Sequence, residues 1–281
     1  MIRRLINRYG LRMARELRSE VHETKNSEVR FHSSSGYRIA ATCTRPIAEG
    51  RWPAVVLCPG ADHDRRYFQS RSSPIHPADI ASLGAVVLTY DPSGRGESWG
   101  PEDFGGPEHQ DNAAQSLRFL REQSDVDPGQ TGLIGISLGI ASAMGGARLL
   151  AEAGEAVQWV LDWEGPCDQR TITANQTMNA PAMGHKANDR TYWAPREALS
   201  HMAHIQCGYH RLQAHPDHAQ PDELGHALAM MDAAARADLP WFTLNHEKDG
   251  VCPANPRWLA PGPLAANRAI LTAIRSLLNH R

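Results

Sequence analysis

The sequence predicts one α/β domain built on a mostly parallel sheet with helices on both faces. Three observations lead there. Short, wholly apolar runs recur at residues 54–58, 84–90, 131–136 and 157–162, the pattern of strands covered on both sides. Segments with helical spacing alternate with them, as at 107–123 and from Ile140 onward, which is the order that produces parallel strands joined by helices. The chain has 281 residues, a length that one large core can organise.

Taken in order, residues 1–26 form an N-terminal helical extension. It is rich in arginine, with Ile2, Leu5, Ile6, Tyr9 and Met13 near one face. Glu16 and Glu20 interrupt the basic run, so it is expected to pack on the body or on a second copy of the chain rather than on a membrane. Residues 28–32 and 37–44 alternate around Ser33-Ser34-Ser35-Gly36 as an antiparallel hairpin. The first buried strand, 54–58, is followed by a long polar loop over 59–77, and loops of that length in a compact domain are usually functional or mobile. A helix over 107–123 is closed by Asp127-Pro128-Gly129. Past the strand at 157–162, residues 165–204 are polar and without strand signal, and are expected to be a cap inserted over the C-terminal edge of the sheet, where ligands bind in such folds. Strands at 205–213 and 239–244 and helices at 222–237 and 263–278 complete the main domain, 27–281.

The chain turns on Gly135-Ile136-Ser137-Leu138-Gly139, between the apolar run 131–136 and a helix of small residues. A serine hydroxyl becomes a useful nucleophile when a tight strand-to-helix turn lifts it off the backbone, and that turn crowds the positions two before and two after it. Gly135 and Gly139 answer both demands. The serine then needs an imidazole base and a carboxylate to orient it, on loops just past the C-terminal ends of strands. Of fourteen histidines, His246 directly follows the strand segment 239–245, and Asp217 follows the strand ending near Gln213. Asp249 with His280 is a rival pair, although His280 follows a helix. Asp162 and Glu164 are further candidates for the acid, and the other reading of Asp217 is a turn aspartate. For the developing oxyanion, the Leu138 amide is one donor and Ala61, in the turn Pro59-Gly60-Ala61, the other.

Together these residues resemble the α/β-hydrolase family, and within it the bacterial serine esterases similar to dienelactone hydrolases and acetyl esterases. The likeness runs from about residue 28 to the C-terminus. Besides the elbow and the Asp217 and His246 loops, it rests on Pro59-Gly60-Ala61 and on Asp91-Pro92-Ser93-Gly94-Arg95-Gly96-Glu97-Ser98. The resemblance implies a sheet of about eight strands with the second antiparallel, no metal or organic cofactor, and a scaffold contact for Arg95. It implies hydrolysis of small-molecule carboxylic esters through an acyl-enzyme. Dienelactone hydrolases carry cysteine where this chain has Ser137, and the oxyanion turn begins Pro-Gly rather than His-Gly.

The remaining features point less sharply. The net charge of -2 gives no field for nucleic acid or membrane. Five cysteines without metal spacing, and no signal-peptide core, favour reduced thiols and a cytoplasmic address. His201, His204, His210, His215 and His218 are dense enough to raise a metal site, against which stands the reading as ordinary surface and loop histidines. Residues 62–66 are a charge run that either meets a polar substrate or is solvated. Trp163, Met183, Tyr192 and Trp193 either line a pocket or form the cap's own core.

Overall fold

The computed structural model describes residues 21–174, 184–185, 188–220, 223–245 and 257–279. The extension up to residue 20, and Met183, His246, Asp249, Cys252 and His280, lie outside them.

The strands β1 (Thr24–His32), β2 (Arg38–Pro46), β3 (Trp52–Cys58), β4 (Val86–Tyr90), β5 (Val126–Ile136), β6 (Trp159–Trp163), β7 (Gly208–Leu212) and β8 (Phe242–Leu244) form one sheet. Its order is β1-β2-β4-β3-β5-β6-β7-β8. β2 runs antiparallel to both neighbours, and the other pairs are parallel. Eight helices accompany it: α1 (Pro77–Ser82), α2 (Pro107–Arg121), α3 (Gly139–Glu152), α4 (Gln169–Ala174), α5 (Arg190–Trp193), α6 (Ala198–His201), α7 (Glu223–Arg236) and α8 (Pro263–Asn279) among the described residues.

Alternation along the strands splits the core. Ala54, Val56 and Cys58 of β3 pack with Leu117 of α2, Ile140 and Met144 of α3 and Met230 of α7. Val55 and Leu57 turn the other way, towards Ile80 of α1 and Ile270 and Ile274 of α8. Since both faces are covered, strand sequences without polar alternation are what burial demands. β6 follows the same rule, with Val160 on the first side and Leu161 and Trp163 on the second.

Several boundaries differ from expectation. β5 continues through Asp127-Pro128-Gly129, and the sheet absorbs these residues as an irregularity between the pairs Trp52–Val126 and Ala54–Thr131. β8 begins only at Phe242, because Asp238 adopts φ 52° and Pro240 has no amide for the ladder. β7 starts at Gly208, after a 3-10 turn over Met202–His204. The long loop after β3 contains a 3-10 turn, Arg65–Gln69, and ends at α1, whose Pro77 at the first helical turn is an ordinary start signal. From β6 to β7 the described residues form only short helices and 3-10 turns.

Asp162, at the end of β6, is a structural group. Its carboxylate accepts from Arg211 of β7, Tyr209 Oη (2.5 Å) and the Gly165 amide (2.9 Å), and the side chains of Asp162 and Arg211 are fully buried. Removing one partner of a buried pair leaves an uncompensated charge. Asp162→Asn is therefore expected to lower unfolding stability by about 3–5 kcal/mol in urea titrations. A loss below about 1 kcal/mol would mean that the pair behaves as an exposed one.

Candidate active site

Ser137 sits between β5 and α3 with φ 53°, a left-handed backbone that costs a non-glycine residue of order 1–3 kcal/mol and persists where the surroundings enforce it. Here they do. The Ser137 amide donates to the Trp163 carbonyl at the end of β6 (2.9 Å). A Cβ at Gly135 would lie 2.5 Å from Ile140 Cα, and one at Gly139 would lie 2.2 Å from the Cys58 carbonyl oxygen. No side chain fits at either position. Both glycines of the motif are thus explained by contact, and the serine is presented at the sheet's C-terminal edge.

The turn after β3 comes close to it, with Gly60 placed so that a Cβ there would be 3.3 Å from Ser137 Cβ. Ala61 and Leu138 fall into one small buried cluster with Phe104, Ala141, Ile172 and Trp193, so the two expected oxyanion donors belong to neighbouring residues. Arg95 holds the turn from behind. Its guanidinium donates to the carbonyls of Gly60 (2.8 Å) and His63 (3.1 Å) and forms a two-bonded pair with Glu102 (2.6 and 2.7 Å).

The acid side is built from three loops. Asp217 lies past β7, where strand order places it. Burial pushes its carboxyl up, but contacts from His226, the amides of Gln220 and Ala219 and the Gln213 side chain outweigh it and hold the group well below the usual carboxylate range. Glu164 follows β6 and Asn245 follows β8, both left-handed (φ 49° and 56°). Each continues the ladder onto β7, Glu164 N–H to the Leu212 carbonyl (3.0 Å) and Asn245 N–H to that of Arg211 (2.7 Å). Each then turns its side chain back to accept an amide of the acid loop, Ala214 N–H at Glu164 (3.0 Å) and Gln213 N–H at Asn245 (2.8 Å). Glu164 also meets His218, and Glu164, Asp217 and His218 are the one group among the described residues whose ligand atoms lie close enough, within 4.8 Å, to hold a metal ion. His201 is instead spent on the Pro195 carbonyl (3.1 Å). Neither Asn245 nor the role of Glu164 was legible in sequence, since nothing local marks a residue that acts across two strands.

Other candidates resolve differently. The run 62–66 is not wholly solvated: Arg65 is buried against Asp91 and also reaches Glu28 and Glu97, while Asp64 caps the 3-10 turn that follows it. Trp193 is fully buried within the cluster that holds Leu138 and Ala61, and Tyr192 packs against that cluster. The described cysteines are free and buried, and burial pushes Cys58 and Cys207 up to about 12 and Cys167 to about 11, so these thiols stay protonated.

The sheet order and the strained serine elbow define an α/β-hydrolase. The sequence profile described as X-Pro dipeptidyl-peptidase (S15 family) matches residues 35–250, and the chain belongs to that family. Among curated proteins, an uncharacterized protein of Mycobacterium tuberculosis is 32% identical over 118 residues, which is 42% of this chain and 40% of that protein. Solved structures with the same fold include an esterase of Pyrococcus furiosus (12% identity, TM-score 0.63, 90% of this chain and 91% of that one). A puromycin-hydrolyzing peptidase of Mycobacterium tuberculosis is similar over 92% of this chain and 40% of its own (16% identity, TM-score 0.65). Among the described residues, no helix is long and apolar enough to cross a membrane.

Arg95 makes the site testable before any substrate is known. Misplacement by about 1 Å costs on the order of 100-fold in a preorganised site, and lysine cannot hold both carbonyls and Glu102. Arg95→Lys is expected to keep its melting temperature within a few degrees while fluorophosphonate labelling of Ser137 slows about 10- to 100-fold. Labelling within twofold of wild type would reduce Arg95 to a scaffold contact.

Proposed function

We propose that this protein is a serine hydrolase that cleaves small-molecule carboxylic esters through an acyl-enzyme. The observation that carries the reading is Ser137, held at φ 53° by glycines on either side whose Cβ positions are occupied. Strain of this kind gathers where a site needs it. In the reaction Ser137 Oγ attacks the acyl carbon, the Leu138 and Ala61 amides receive the oxyanion, and a histidine takes the serine proton and returns it to the departing alcohol. We read that histidine as His246 and its orienting carboxylate as Asp217, each expected on a loop past the C-terminal end of a strand.

A second reading is amide cleavage with the same groups. The family's description as an X-Pro dipeptidyl-peptidase favours it, as does the likeness to a peptidase fold. Nitrophenyl esters from acetate to long acyl chains, set beside X-Pro nitroanilides, separate the two. Wild type is expected to turn over short esters faster than anilides, and Ser137→Ala to lose about 1,000-fold or more. Faster anilide turnover would move the assignment to peptides, and full activity in Ser137→Ala would remove the nucleophile altogether.

A further inference from the structure

The N-terminal edge of the sheet, opposite the serine, carries a cleft that the proposed reaction does not use. Trp159 opens β6, and Trp241 immediately precedes β8. Each indole crosses a glycine of a neighbouring strand, Gly132 of β5 and Gly208 of β7, where a Cβ would run into the ring. With no side chains beneath them, the two rings come close against the sheet. They wall a cleft of about 250 Å³ together with Pro53 and with Leu277 and Leu278 of α8. Its remaining members are Gln130 and Gln158, so the lining carries no charge. The four residue steps of β6, roughly 13 Å in a strand, separate this edge from Trp163, whose carbonyl holds the Ser137 amide.

Residues 1–20 lead into this same edge. The His22 amide donates to the Ser82 carbonyl at the end of α1 (2.9 Å), and its ring meets that of Trp52 edge-on (centroids 4.8 Å apart). Trp52 is the first residue of β3, and Pro53, the next, stands in the cleft wall. In the sequence before His22, Ile2, Leu5, Ile6, Tyr9, Met13 and Leu17 recur at helical spacing, and Arg4, Arg8, Arg15 and Arg18 fall off that stripe. A helix over 2–17 would be about 23 Å long, and the residues that join it to Val21 add up to about 13 Å when extended. Reach is therefore not limiting. A helix of this length is marginal by itself, and Gly10 weakens it further, so its apolar stripe needs a surface to rest on.

We propose that the cleft walled by Trp159, Trp241 and Leu278 receives the apolar stripe of residues 2–17 of the same chain. The tether selects this occupant. A segment joined so near the cleft meets it at an effective concentration on the order of millimolar, which a second copy does not reach in dilute solution. The uncharged lining accepts isoleucine and leucine side chains, and the arginines off the stripe stay in water. Tyr9 is the anchor with a polar end, and Gln130 and Gln158 offer its hydroxyl partners. Once seated, the segment covers the two indoles, an aromatic surface of the kind that marks an interaction site when left open. Docking here is independent of the reaction assigned to Ser137, which lies at the other end of the strands.

The test uses the full chain. A photo-crosslinking benzoylphenylalanine takes the place of Tyr9 in one variant and of Arg4, away from the stripe, in another. Irradiation is expected to join position 9 to peptides containing Trp159, Trp241 or Leu278 within one chain, and position 4 to none of them. Limited trypsin digestion after Arg8, Arg12 and Arg15 gives a second reading. Ile6→Asp and Leu278→Asp are each expected to speed cutting about 10-fold over wild type. The double variant is expected to be cut no faster than either, because both changes remove the same contact, a result that general loss of stability does not produce. Cross-links from position 9 to the cleft of a different chain overturn the proposal in favour of a second copy. Cross-links that miss the cleft overturn docking altogether, as do equal cutting of wild type and both single variants or additive acceleration in the double one.

Discussion

The start of α3 lies so close to the end of β3 that Gly139 has the Cys58 and Pro59 carbonyl oxygens where a side chain would be. This approach governs the rest of the site. It brings the turn at Gly60 beside the serine, and it forces the abrupt change from strand to helix that leaves Ser137 left-handed. Gly135 meets the same helix from the strand side. The sheet and its two cores are the rigid frame against which that compression is held, and burial on both faces is what makes the frame rigid.

The acid side is organised by a different force. Its loop rests on a single bridge to Leu259, and further amides in it would be buried without partners if nothing reached across to them. Glu164 and Asn245 reach across from β6 and β8, and Asp217 satisfies the loop from within. Buried polar groups of this sort are costly when unmade and confer a defined geometry when complete. The His218 ring, lying between Trp163 and Glu164, inherits that geometry.

How much of this could be read from the amino acids depends on the range of the interaction. The elbow was legible because a sharp turn imposes its glycines within five residues. The strands of the central sheet were legible because double burial writes continuous apolar runs. Arg95 stood in a recognisable stretch, but its grip on Gly60 and His63 joins segments some thirty residues apart, and no local pattern records that. Glu164 and His218 are 54 positions apart. In sequence Glu164 was one of several carboxylates and His218 one of a crowd of histidines, and only the pairing of β6 with β7 brings them together. Asp217 was placed correctly past β7, yet its saturation by its own loop is a matter of hydrogen-bond geometry that spacing does not carry.

The segment between β6 and β7 is moored to the body by Arg196, which pairs with Asp103 and lies over the Tyr192 ring. The residue beside Asp103 is Glu102, the partner of Arg95, and Arg95 grips the Gly60 carbonyl. These contacts form an unbroken line from the outer segment to the turn that faces the serine. The short helices after β6 and the turn after β3 are thus held to the body by one loop, in which Asp103 serves the first and Glu102, through Arg95, the second.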